Sequence, residues 1–159
     1  MPEMPALART LCTSPPYRLF ARRVLLPWAL QGVVPSGEVL EIGSGSGAMA
    51  GEPFEDGCFD LVLSFAMLHH VGAWERAVAE AIRVLGPGGK FLGYDLIHSA
   101  PHRPGNQNRR HEGYEGGPGA TRMMTAEELR TELGYLPVKD VRTRRAPILP
   151  ALRFTATRA

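Results

Sequence analysis

The chain has 159 residues, 44% hydrophobic and 21% charged, a composition typical of one soluble globular domain. The net charge of +2 is too small to favour nucleic acid or an anionic membrane as the main partner. Cys12 and Cys58 form no disulfide or zinc-binding pattern, and no apolar run is long enough to span a bilayer. We therefore expect a cytoplasmic protein without a metal site or a membrane span.

The first predicted element is a helical segment over residues 15–31. Pro27 lacks an N–H group, so it is expected to break or kink this helix. The apolar face of the segment is expected to consist of Leu19, Val24, Leu25 and Leu26.

The remaining chain alternates predicted strands and helices and closes with a predicted antiparallel hairpin. The strands are 39–42, 59–65, 90–96, 138–143 and 152–157, and the helices are 74–85 and 125–133. Thr125 and Glu128 form a capping-box pattern at the start of the second helix. The stretch 98–120, rich in Gly, Pro, Arg, Asn and His, is predicted to be a long mobile loop. This order indicates an α/β fold with right-handed crossovers between parallel strands.

A glycine-rich turn, EIGSGSG at residues 41–47, ends the first predicted strand. Glycine permits positive φ angles and lets a ligand approach the backbone closely. A dinucleotide fingerprint would read GxGxxG, continue into a helix and be followed by an acid about 20 residues later. Here the chain runs on through Gly51 and Pro53, so the ExGxGxG pattern is the better description. A nicotinamide-dependent oxidoreductase stays open as an alternative.

Four motifs in order carry a family resemblance. The glycine turn is followed by PFEDGCFDLVLS at residues 53–64, LHHV at 68–71 and RVLGPGG at 83–89. Together they resemble motif I and the segments around the fourth and fifth strands of class I S-adenosylmethionine-dependent methyltransferases, of the methyltransferase type 11 kind. The resemblance covers residues 38–96 and implies S-adenosyl-L-methionine as the cofactor.

The resemblance also implies where the cofactor lies. The glycine turn would pass under its methionine portion, Glu41 would hold its ammonium group, and the residues ending the next strand would lie beside the sulfonium and adenosine. This place agrees with the rule that ligands bind beyond the carboxyl ends of parallel strands. The implied cofactor-binding residues are Glu41, Gly43, Ser44, Gly45, Gly47, Ser64 and Phe65.

One part of the family pattern is absent. Family members carry two further crossover units, with the second and third strands and their acids for ribose and adenine, where this chain has only a short link between Gly47 and Phe54. The resemblance therefore implies that residues 1–159 form a single truncated domain with a reduced Rossmann-like parallel sheet, the first strand at the sheet edge and weakened cofactor binding. Glu52 is a candidate replacement for one acid. Residues 15–31 or a second chain could cover the exposed strand, which makes a homodimer one expected assembly.

Candidates for acid–base chemistry are His69, His70 and Asp95, because imidazole titrates near neutral pH and Asp95 is expected to point towards the ligand edge. The alternative for the two histidines is packing or capping at the strand exit. The loop histidines, expected to be solvated rather than metal ligands, are His98, His102 and His111.

Arginines fall into two groups. Those of the loop either steer an anionic substrate or are simply solvated, and they are Arg103, Arg109 and Arg110. Those of the hairpin are expected on its outer face rather than in a nucleic-acid patch, and they are Arg142, Arg144, Arg145 and Arg153. Asp60 is expected to hydrogen-bond at the start of its strand, and no nucleophilic role is expected for Cys58.

The sequence is therefore compatible with two functions. The first is S-adenosylmethionine-dependent methyl transfer to a small-molecule or lipid-like acceptor. The second is a degenerate relative that keeps the fold and works as a binding or dimerising module. Neither involves nucleic acid. The acceptor is not readable from the motifs, because specificity lies in the loops.

Overall fold

A computed structural model of the protein describes residues 14–43, 54–97, 123–147 and 149–159. The chain divides into two compact units, residues 1–34 and 35–159. No helix in the described ranges is both long and apolar enough to cross a membrane.

In the first unit, helical backbone runs through the position of Pro27. Helix α1 covers Pro15–Phe20, a π-helical turn covers Ala21–Leu25, and helix α2 covers Leu26–Leu30. In the π-helical turn the Leu26 N–H donates to the carbonyl of Ala21, five residues back. The wider turn precedes the proline, so Pro27 does not end the helical segment but lies in the first turn of α2, and the regular α-helix is interrupted by the π-helical turn before it. Leu19 and Val24 are also largely exposed, contrary to the predicted apolar face.

The second unit contains one five-stranded sheet. Its strands are β1 (Val39–Ile42), β2 (Phe59–Phe65), β3 (Leu85–Leu96), β4 (Val138–Arg145) and β5 (Ala151–Arg158). Their spatial order is β1-β2-β3-β5-β4; β1, β2 and β3 are parallel, while β5 runs antiparallel to both β3 and β4. The predicted α/β class and the closing antiparallel hairpin are confirmed. In the described sheet β1 lies at an edge, as predicted.

Strand β3 begins five residues earlier than predicted. Phe59 pairs with Leu85 and Leu61 pairs with Lys90, so two residues along β2 correspond to five residues along β3, and β3 bulges between these pairs. Pro87 has no N–H to give to the ladder, and Gly88 has φ +79°, which together allow this bulge. The glycine-proline segment is therefore an irregular first part of the strand rather than a turn before it.

Two helices cover one face of the sheet. Helix α3 (Trp74–Val84) follows a 3₁₀ turn at Leu68–His70, and helix α4 spans Ala126–Tyr135. The capping box predicted at the start of α4 is confirmed: the Glu128 N–H donates to Thr125 Oγ1, and the Thr125 N–H donates to the Glu128 carboxylate. The largest buried side chains between helices and sheet are Trp74, Phe91, Phe154, Leu68, Ile82, Leu129 and Leu133.

Polar contacts hold the ends of α3 and β1. Arg158, at the end of β5, donates to the backbone carbonyls of Arg83 and Leu85, where α3 has run out of N–H partners. At the start of β1, the Glu38 N–H donates to the Asp60 carboxylate at 2.9 Å, which confirms the role expected for Asp60.

Candidate functional site

The carboxyl ends of the three parallel strands meet at one edge of the sheet, where the predicted site residues converge. Ile42 at the end of β1 pairs with Ser64 near the end of β2, and Ser64 pairs with Gly93 on β3. This is the edge at which open α/β sheets bind ligands.

The glycine turn begins at this edge. Gly43 has φ +89°, and a Cβ at this position would collide with the Met67 side chain, so the residue following β1 has to be glycine in this conformation. Glu41, one residue inside the strand end, is exposed. The other predicted members of the turn, Ser44, Gly45 and Gly47, lie outside the described residues.

Ser64 is the most unusual polar group of the edge. Its side chain is fully buried, and among the described residues its hydroxyl oxygen has no hydrogen-bond partner. The backbone of β3 approaches closely here, because a Cβ at Gly93 would overlap the carbonyl oxygen of Ser64. Burying an unpaired hydroxyl costs free energy, so this group is poised to accept or donate a hydrogen bond to a ligand.

The residues directly after Ser64 turn the chain sharply. The Phe65 ring lies 5.9 Å from that of Tyr94, measured between centroids. Ala66 has φ +49°, a left-handed conformation that costs a non-glycine residue free energy, and its N–H donates to the carbonyl of Tyr94 at 2.8 Å. Such strain is common at ligand sites. Nothing in the sequence signals it.

His69 and Asp95 form a buried pair beside this turn. His69 Nδ1 lies 2.5 Å from Asp95 Oδ1, and the two side chains are 11% and 1% exposed. The carboxylate also accepts the backbone N–H groups of Leu68 at 2.6 Å and Leu96 at 2.7 Å. An ionised carboxylate only accepts hydrogen bonds, so His69 donates to it from Nδ1, and Nε2 is the ring nitrogen outside this pair.

This geometry alters the expectation for Asp95. The residue does lie at the ligand end of β3, but its carboxylate is buried and both oxygens are occupied, so it does not present an open base there. Its partners indicate a positioning residue that orients His69 and holds the turn after β2.

His70 stacks on His69, with 4.0 Å between the ring centroids, and belongs to the exposed side of the turn. Burial of part of the ring lowers the pKa of His70 below 6.5; the neighbouring His69 lowers it further, and Asp95 opposes the shift. The ring is therefore neutral at pH 7, the form that accepts a proton.

The predicted residues fall on two faces of the sheet, because side chains alternate along a strand. Ser64 and Asp95 lie on the face that packs against α3 and α4, where the core residues Val62 and Phe91 also lie. Glu41 and Phe65 lie on the opposite face. The side chains of the two faces can therefore meet only around the carboxyl ends of the strands.

The other predicted residues either lie away from this edge in the described part of the chain or fall outside that part. Cys58 is an exposed free thiol at the opposite ends of the strands. The loop histidines and arginines between 98 and 111 lie outside the described residues. Within the described part of the chain, no group of three metal-ligating side chains occurs. Of the hairpin arginines, Arg142 and Arg144 share the face opposite the helices, whereas Arg145 lies on the helix face.

Sequence comparisons relate this chain to methyltransferases. Residues 46–93 match the family described as a methyltransferase domain. A sterol 4-C-methyltransferase of Caenorhabditis elegans is 31% identical over 92 residues, which cover 55% of this chain and 28% of that protein. A phthiotriol/phenolphthiotriol dimycocerosates methyltransferase of Mycobacterium ulcerans is 35% identical over 111 residues, which cover 67% of this chain and 38% of that protein. The chain thus spans well under half the length of these relatives.

Solved structures of other methyltransferases share the fold. A SAM-dependent methyltransferase from Thermotoga maritima superposes with a TM-score of 0.61 at 18% identity, over 95% of this chain and 97% of that one. The CurJ carbon methyltransferase superposes with a TM-score of 0.57 at 14% identity, over 96% of this chain and 57% of that one. These matches confirm the Rossmann-like fold.

Proposed function

Starting from a chain that is related to the class I S-adenosylmethionine-dependent methyltransferases, we propose that it binds S-adenosyl-L-methionine at the carboxyl edge of β1 and β2 and transfers its methyl group. The observation that carries the proposal is the buried, unpartnered Ser64 hydroxyl next to the glycine turn of Gly43. A hydroxyl desolvated without a partner in the described chain fits a bound polar ligand.

The described residues fit two parts of the cofactor. Glu41 supplies an exposed carboxylate for its ammonium group and Gly43 leaves the strand end open, whereas Ser64, on the opposite face, would supply a hydroxyl beside the sulfonium. The cofactor, when bound, supplies an activated methyl group on a sulfonium, so the protein has to contribute mainly alignment. The burial of Ser64 helps to align the cofactor, because a hydrogen bond between ligand and protein is stronger in a desolvated site.

The histidine turn supplies proton transfer where the acceptor needs it. Asp95 orients the His69 ring through Nδ1, and His70 stays neutral at pH 7 because burial lowers its pKa. His69 or His70 would take the proton that an attacking hydroxyl or amine loses.

The acceptor is proposed to be a small molecule or a lipid-like molecule. The support comes from the two relatives whose names specify a sterol and dimycocerosate lipids as the methylated compounds. Because the chain covers only part of each, this remains a proposal about acceptor class.

Titration calorimetry with S-adenosylhomocysteine tests cofactor binding. Glu41→Gln should weaken binding by about tenfold, the loss of one charge-assisted hydrogen bond. Glu38→Gln removes the same charge from the other end of β1, where the side chain is exposed, and should leave binding unchanged. No heat at millimolar ligand, or an equal effect of both variants, would overturn the proposal.

A second function is favoured by one observation, the position of β1 at the sheet edge. A strand edge without a partner among the described residues is a surface for strand pairing, so the alternative is a non-catalytic module that binds another chain. Light scattering distinguishes the two: a dimer without cofactor binding supports the module, and a monomer that turns over the cofactor excludes it.

A further inference from the structure

A row of four side chains crosses the sheet on the face opposite α3 and α4. Phe65 pairs in register with Tyr94, Tyr94 with Arg153, and Arg153 with Arg144. Residues in register on neighbouring strands share a face. With strands spaced about 4.8 Å apart, the row is roughly 14 Å long. We call it the Phe65–Arg144 row.

One end of the row is aromatic and touches the candidate cofactor edge. Phe65 is the last residue of β2, directly after Ser64, and its ring lies 5.9 Å from that of Tyr94 between centroids. Both rings are half-buried. A pair of aromatic rings at this depth offers contact area to an apolar chain or ring.

The other end of the row is cationic. Arg144 is exposed and stands directly opposite Arg153, and burial together with the charge of Arg144 lowers the pKa of Arg153. Like charges in direct register repel, and an anion bound at the exposed Arg144 would reduce its repulsion of Arg153. Arg142, two residues before Arg144 on the same face, is also exposed. Neither Arg142 nor Arg144 forms an ion pair within the described part of the chain.

The charge is concentrated in this hairpin. Residues 138–158 contain six Lys or Arg residues and one Asp, which gives 6 − 1 = +5, whereas the whole chain carries +2. Charged side chains on an edge strand can serve only to prevent sheet-to-sheet association. That role, however, requires neither an in-register pair of arginines nor their continuity with an aromatic pair at the ligand edge.

We propose that the Phe65–Arg144 row binds an amphiphilic methyl acceptor, with its apolar part on Phe65 and Tyr94 and an anionic group, a phosphate or carboxylate, on Arg153 and Arg144. The proposal rests on the proposed function, since it names the acceptor chemistry of the same site. It places the apolar part of the acceptor beside the edge at which Ser64 and Gly43 would hold the cofactor.

Calorimetry with dodecyl phosphate, below its critical micelle concentration, tests the row without any turnover. Arg144→Gln should weaken binding by about tenfold, the loss of one charge-assisted contact. The matched control is Arg145→Gln, the adjacent residue with the same charge change on the opposite face, which should change binding less than about twofold. Tyr94→Leu should also weaken dodecyl phosphate binding but leave that of inorganic phosphate unchanged.

Two outcomes would overturn the proposal. Equal weakening by Arg144→Gln and Arg145→Gln would mean that general hairpin charge attracts the ligand. If uncharged dodecyl maltoside or inorganic phosphate binds as tightly as dodecyl phosphate, the row does not recognise an amphiphilic anion. The separate S-adenosylhomocysteine titration tells which idea has failed: cofactor binding without dodecyl phosphate binding refutes only the row.

Discussion

Replacing Asp95 by asparagine tests the buried pair behind the histidine turn. The carboxylate accepts from Leu68 through Oδ2 and from Leu96 and His69 through Oδ1. An amide has one accepting oxygen, so whichever way it is placed, one of the two backbone N–H groups faces an NH₂ group instead. A lost hydrogen bond to a charged acceptor costs about 1.5–3 kcal/mol. We expect Asp95→Asn to lower the free energy of unfolding by that amount.

Urea unfolding followed by circular dichroism measures the change. The control is Asp60→Asn: this carboxylate is exposed and accepts one N–H, from Glu38, which an amide oxygen can still accept, so the loss should stay within about 0.5 kcal/mol. Nitrogen NMR of His69 gives a second readout, because an amide placed with its NH₂ beside Nδ1 would favour the tautomer with the proton on Nε2, whereas the reverse placement keeps the proton on Nδ1 and loses only the Leu68 bond. Equal stability of both variants, with an unchanged tautomer, would refute the positioning role of Asp95.

Three further outcomes follow from the same edge. Gly93→Ala should lower the free energy of unfolding in urea by roughly 3 kcal/mol or more, because the new Cβ meets the backbone of Ser64. The control Gly134→Ala has open space around it and should stabilise helix α4 by about 0.5–1 kcal/mol. Similar effects of the two variants would contradict the close approach of Gly93 to Ser64. Ala66→Gly should raise stability by up to about 1 kcal/mol by relieving the left-handed conformation, and a lower melting temperature would argue against strain there. Burial lowers the pKa of His70 below 6.5, so the folded state binds this proton more weakly than the unfolded state does. Stability should therefore be fully present above pH 6.5 and fall as the pH is lowered through the depressed pKa, and His70→Gln should remove that part of the fall; an NMR titration of the ring that gives a pKa above 6.5 would contradict this.

Local patterns predicted the elements that depend on local interactions. The apolar spacing of 74–85 and the capping box of Thr125 and Glu128 each specify a helix without help from distant residues, and both are present. Pro27 does not end the helix because a π-helical turn, which no simple pattern signals, precedes it. The start of β3 was misjudged because its first pair, Leu85 with Phe59, is made across a bulge and depends on the neighbouring strand.

The site was predicted as separate residues rather than as an arrangement. His69 and Asp95 were both candidates, but their contact joins residues 26 apart in the chain. One signal was available: each follows or ends one of two neighbouring parallel strands, so both had to reach the same edge. The close approach of Gly93 to Ser64 and the register of Tyr94 with Arg153 depend on strand pairing, which composition and periodicity do not encode.

The place of β5 between β3 and β4 sets an order of events during synthesis. Until residues 151–158 leave the ribosome, β3 has an open edge and β4 has no strand to pair with. The backbone carbonyls at the end of α3 also lack their hydrogen-bond donor until then, because that donor is Arg158. The parallel half of the sheet can therefore form early, but it stays open to wrong strand pairing until β5 is inserted. Chaperone binding should accordingly peak on nascent chains that stop just short of β5.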